Sequence, residues 1–118
     1  MVTNETARKI VKILDDKKAE DIKLIRISEL TVLADYFIIA NGTSNTHVRA
    51  LADEVEELLA EDGILPRSIE GRSTGWILLD YNSVLVHVFT GESRDYYNLE
   101  RLWQDAKTVD ISDVITED

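Results

Sequence analysis

"STGWILLDYNSVLVHVF", residues 73–89, decides the fold. Within it, "WILLD" (76–80) and "VLVHVFT" (84–90) are short runs of aliphatic, β-branched and aromatic residues, and the "YNS" between them has hairpin length. This spacing predicts an antiparallel strand pair. Side chains alternate along a strand, so Trp76, Leu78 and Asp80 share one face while Ile77 and Leu79 share the other. Ile and Leu alone suit a core, which leaves Trp76, a large amphipathic ring, on the side with Asp80. Two readings of that side follow. Either a helix of the same chain covers Trp76, through Tyr97 or Trp103, or a partner does, since Trp and Tyr concentrate at interface hot spots.

Working outward, "DIKLIRIS" (21–28) alternates as a half-buried strand does, and "LADYFIIANG" (33–42) is an apolar run stopped by Asn41 and Gly42. "LPRSIEG" (65–71) offers a further short strand. Helical spacing appears in three places. Ala7, Ile10, Val11 and Leu14 follow a cap at Thr3 or Asn4, and Val48, Leu51, Val55, Leu58 and Leu59 follow a cap at Ser44 or Asn45. The third helix follows Ser93, with Tyr96 or Tyr97, Leu99, Leu102, Trp103 and Ala106 on its apolar side. Gly63 is the expected left-handed stop of the second helix. The order is α-β-β-α-β-β-β-α, an α/β (α+β) domain over residues 3–106 with an acidic C-terminal tail over 107–118. "YFIIA" and "VLVHV" are too uniformly apolar for a wet face, so the mixed five-stranded sheet is flanked by helices.

The chain of 118 residues has room for one sizeable core. It contains no Cys, which removes disulfides and thiolate chemistry. The N-terminus has no apolar run of signal-peptide length and carries acids that transit peptides avoid, and no segment has the length of a membrane span, so the expected compartment is the cytoplasm. A net charge of −10 repels phosphate backbones. "LADEVEELLAED" (51–62) alone holds six acids and no base, which suits a solvated helix face or an acidic binding surface. Should the protein meet a ribonucleoprotein, it is expected to touch a protein component, with little direct nucleic-acid contact.

Three stretches carry a family resemblance, namely "ARKIVKILDDKKAEDI" (7–22), "LADYFIIANGTSNTHVRALADEV" (33–55) and "EGRSTGWILLDYNSVLVHVFTGESRDYYNLERLWQDA" (70–106). The chain resembles the Iojap-like ribosomal silencing factors, also called RsfS. That resemblance implies a nucleotidyltransferase-like fold without its catalytic carboxylates, and a protein that is not an enzyme. It further implies binding to the large ribosomal subunit through ribosomal protein fourteen of that subunit. Such binding blocks subunit joining and represses translation under nutrient limitation. The strand pair around Trp76 looks like the region that meets the ribosomal protein. The candidate partner-binding residues are Trp76, Leu78, Asp80 and Tyr81 from the strand, with Arg72 and Tyr97 from the flanking stretches.

The residues themselves bear on the absence of catalysis. Nucleotidyltransferases pair a Gly-Ser turn at a helix start with two or three carboxylates that hold Mg²⁺. "NGTSN" (41–45) supplies the turn, but the following strands offer "SIEG" and a lone Asp80. The turn therefore reads as a capped strand-to-helix junction or as a retained phosphate site. His47 lies at a helix start and His87 inside an apolar strand, and neither has a nucleophile and an orienting partner in the sequence pattern. No catalytic residue, cofactor or metal is expected. Two alternatives from other classes are a metal-dependent nucleotidyl or phosphoryl transferase using Gly42, Thr43, Ser44 and Asp80, and a homodimerisation scaffold without ribosome binding. A homodimer is also compatible with the silencing-factor reading.

Overall fold

The hairpin read from residues 73–89 forms the middle of one half of a mixed sheet. In the computed structural model, which describes residues 3–27, 34–71, 76–90, 107–109 and 111, the elements are α1 (Thr3–Asp16), β1 (Glu20–Arg26), β2 (Tyr36–Gly42), α2 (Asn45–Glu61), β3 (Ser68–Glu70), β4 (Trp76–Asp80), β5 (Val84–Thr90) and β6 (Lys107–Val109). Strand order is β3-β4-β5-β2-β1-β6. β2 and β5 run parallel at the centre, with Tyr36 opposite Val84 and Gly42 opposite Thr90, and every other pair is antiparallel. The two most apolar runs of the sequence thus become the two central strands. Being covered on both faces is what their composition requires.

One face of the sheet carries α1 and α2. Ala7, Ile10, Val11 and Leu14 of α1 are fully buried, as are Val48, Leu51, Val55 and Leu59 of α2. They pack on Leu24, Ile38, Ala40, Ile77, Leu79, Val84, Val86 and Val88, the side chains that alternate onto that face. Two local devices set α2 in place. Ser44 has an extended backbone and its Oγ accepts from the His47 N–H at 3.1 Å, an N-cap. At the other end Gly63 takes a φ of 78°, while the Ile64 N–H reaches the Leu59 carbonyl and the Gly63 N–H reaches that of Ala60. This is the left-handed stop expected from the sequence.

Gly42 lets α2 come close. A Cβ there would lie 2.9 Å from both the amide nitrogen and a methyl carbon of Val48, so the strand end and the helix start touch backbone to backbone. Salt bridges from Lys9 to Asp62 and from Lys17 to Glu54 then tie α1 to the acidic outer side of α2.

One expectation needs revision. The stretch read as an acidic tail supplies the sixth strand, with Leu24 opposite Val109 and Arg26 opposite Lys107, and Ile111 is buried in the helix-side core. Val109 and Ile111 are two residues apart, the spacing at which strand side chains return to the same face. A segment that completes the sheet edge and contributes a core side chain is not dispensable for folding. The third helix expected from Ser93 onward lies outside the described residues.

Candidate functional site

The face of the sheet opposite α1 and α2 is built differently. Ile25, Ile27, Ala34, Phe37, Ile39 and Phe89 form a second buried cluster, with Trp76 and Leu85 half-buried against it. Its centre is aromatic. Trp76 lies directly across from Phe89 in the β4–β5 register, and their rings stack at 5.4 Å between centroids and 15° between planes. His87 stacks on Phe37 at 4.5 Å and 26°, and on Trp76 at 5.7 Å and 21°. Such offset stacks favour one mutual orientation of the rings.

A hydrogen bond fixes that orientation further. The Trp76 Nε1–H donates to His87 Nδ1 at 2.9 Å. Because an indole nitrogen can only donate, His87 Nδ1 must be the acceptor, and the imidazole is neutral with its proton on Nε2. Burial pushes the His87 pKa down to about 4, since an imidazolium there would lose its hydration. His87 lies inside an apolar strand, as the sequence indicates, and is 6% accessible. Its bond to Trp76 was not legible in the sequence, because it depends on the register: Asp80 lies opposite Leu85 and Trp76 opposite Phe89, which puts His87 on the adjacent diagonal of the same face.

The other candidate residues separate. Leu78 is half-buried on the same face as Trp76 and lies opposite His87. Asp80, a partner-binding candidate from the same strand, is only 9% accessible. Its Oδ2 accepts from Arg67 Nη2 at 2.7 Å and its Oδ1 from the Asn82 N–H at 2.8 Å. Burial alone would raise the Asp80 pKa, and the Arg67 guanidinium and the Asn82 amide outweigh it, holding the carboxyl below its usual range. Asp80 thus braces the β4–β5 turn, where Asn82 adopts a φ of 72°.

Tyr81 is also buried, and it packs in the helix-side core rather than beside Trp76. Its hydroxyl has no hydrogen-bond partner among the described residues, and burial together with the nearby charge of Glu56 pushes its pKa up to about 12. Arg72 and Tyr97 lie outside the described residues, as does Trp103.

Two amides at the Gly-Thr-Ser turn are engaged by side chains. The Thr43 N–H points to His47 Nδ1 at 2.9 Å, while His47 Nε2 meets the Lys17 carbonyl at 2.8 Å. His47 thereby links the start of α2 to the end of α1. With the Thr43 amide given to His47 and the His47 amide given to Ser44, the turn is a capped junction, the first of the two readings the sequence allowed. Among the described residues no three His, Asp or Glu side chains converge in a way that would hold a metal ion. No helix among them is long and apolar enough to cross a membrane.

Comparison with known proteins identifies the family. The family model described as "Ribosomal silencing factor during starvation" matches residues 2–118. A ribosomal silencing factor RsfS of Halalkalibacterium halodurans is 39% identical over 117 residues, spanning 98% of this chain and all of that protein. The mouse protein named for mitochondrial assembly of the ribosomal large subunit is 31% identical over 100 residues, which are 80% of this chain and 43% of that longer one. A crystal structure of a Chromobacterium violaceum protein superposes with a TM-score of 0.86 at 39% identity, covering 88% of each chain. The chain belongs to the RsfS family of ribosomal silencing factors.

Proposed function

We propose that this protein binds the large ribosomal subunit through a ribosomal protein, the fourteenth of that subunit, and blocks subunit joining, which lowers translation when nutrients are scarce. The family match across residues 2–118 carries this reading. The name of the mouse relative, which places that protein in large-subunit assembly, supports the choice of subunit. A net charge of −10 favours a basic ribosomal protein over RNA as the direct contact. The protein acts in the cytoplasm, where ribosomes work, and as a steric block rather than as an enzyme.

Docking centres on Trp76 and Leu78, the two half-buried apolar side chains that β4 presents on the aromatic face. Asp80 and Tyr81 contribute from beneath: Asp80 holds Arg67 and the turn, and Tyr81 fills core. Arg72 and Tyr97, named from the sequence alone, are the remaining residues assigned to partner binding.

The test is sedimentation with purified subunits. The wild-type chain should comigrate with free large subunits and prevent their joining to small ones. Trp76→Ala, shown to be folded by its melting curve, should bind ~2 kcal/mol more weakly, about thirtyfold. A folded Trp76→Ala protein that still blocks joining at wild-type concentration would refute the docking face. A wild-type chain that stays at the top of the gradient while self-associating would favour the scaffold alternative. Heat released on titrating ATP with Mg²⁺ would favour the transferase.

A further inference from the structure

We propose that His87 is a positioning residue for Trp76, holding the indole so that Trp76 meets its partner through hydrocarbon alone, and that the partner surface facing it is apolar. The inference rests on the docking reading above. An indole has one polar atom, a donor, and here that donor is committed inside the protein to His87 Nδ1 at 2.9 Å. A partner could take the N–H only by stripping His87 of it, leaving a buried imidazole nitrogen without a partner. What Trp76 offers outward is therefore ring edge and face.

The imidazole is well placed for this task because it is itself immobilised. Phe37 stacks on it at 4.5 Å, Phe89 lies 6.0 Å away with its plane only 9° from parallel, and His87 stands between Leu78 and Ile39 in the sheet register. Two strands thus fix the acceptor, and the acceptor fixes the donor. Because its ring stays neutral across the neutral pH range, the acceptor lone pair is always present. An anchor ordered before contact loses less rotamer freedom on binding than one that must be ordered by it. Trp76 could otherwise turn about two side-chain torsions.

The experiment joins one measurement on the free protein to binding of purified large subunits. In the free wild-type chain, the Trp76 indole N–H, identified by its loss in Trp76→Phe, should exchange with solvent far more slowly than an exposed indole. Exchange at the exposed rate would overturn the proposal without any variant of His87. His87→Phe keeps a flat ring in the stack and removes the acceptor, and as a folded protein it should bind about tenfold more weakly. His87→Gln returns an acceptor oxygen and should recover most of that loss. A folded His87→Phe of wild-type affinity, or a Gln variant no better than Phe, overturns the positioning role. If Trp76→Ala also binds as wild type, the docking reading falls with it; if Trp76→Ala is weak while His87→Phe is not, only the role of His87 falls. The loss caused by Trp76→Ala should be equal at low and at high salt, as for an apolar contact. A loss that disappears at high salt would overturn the apolar partner surface.

Discussion

The two faces of the sheet obey different rules. Under α1 and α2 the strand side chains are Leu24, Ile38, Ala40, Ile77, Leu79, Val84, Val86 and Val88, all aliphatic. On the opposite face the same strands present Phe37, Trp76, His87 and Phe89. Aliphatic packing is non-directional, and its strength follows the area removed from water and the volume filled. Aromatic stacks and an N–H bond have preferred angles, so the second face specifies orientation as well as burial. A face that only has to hold helices needs the first kind of packing. A face that presents a ring to a partner, as we propose for Trp76, needs the second.

The largest test of this contrast is Val86→Asp, which puts a charge among the aliphatic side chains under the helices. Val86 is fully buried, and an unpaired carboxylate there should cost more than ~4 kcal/mol of a total stability of about 5–15, so no cooperative melt near the wild-type temperature is expected. Next is deletion of residues 108–118. It removes most of β6 and the buried Ile111, both on the helix-covered side of the balance, and should lower stability by ~3 kcal/mol in urea denaturation.

The aromatic face answers to mild acid through His87. The His87 pKa falls from about 6.5 in the unfolded chain to about 4 in the folded one, so between these values the unfolded state binds more protons. Its contribution to stability is therefore complete above about pH 6.5 and is lost as the pH falls towards 4. Urea denaturation should show it as ~2 kcal/mol between about pH 7.5 and about pH 5, a part that disappears in His87→Phe. Smallest is Ile77→Leu, which exchanges isomeric side chains on the helix-covered face. It should cost under ~1.5 kcal/mol by thermal melt and leave subunit binding unchanged, whereas even a conservative change at His87 is expected to alter binding.

Much of the fold was legible because local signals and global pattern agree. Ala7, Ile10, Val11 and Leu14, or Ile77 and Leu79, announce their buried sides by period alone, and Ser44 and Gly63 mark the ends of α2 by capping chemistry. The strand order was not legible, since nothing local says that residues 36–42 pair with 84–90. β6 was missed because "KTV" is three residues long and sits among acids. At the candidate site, face alternation placed Trp76 and Leu78 together. It could not foresee that Asp80 would be occupied by Arg67, a partner thirteen residues earlier in sequence that arrives only through the β3–β4 register. Tyr81 was misplaced for a similar reason: beyond the last residue of β4 it keeps the parity of Ile77 and Leu79 and enters their core.

The parallel pairing of β2 with β5 also governs when the molecule can come into being. Its centre joins residues more than forty positions apart, and β1 receives its last neighbour from residues 107–109. Parallel, sequence-distant pairing is slow, since the chain loses entropy in closing long loops before the contacts form. During synthesis residues 36–42 can pair early with β1, but their other edge must wait for β5, and the outer edge of β1 stays open until residues 107–109 are made. The sheet therefore closes from its earliest strand to its latest, and its two halves become one only when β5 meets β2.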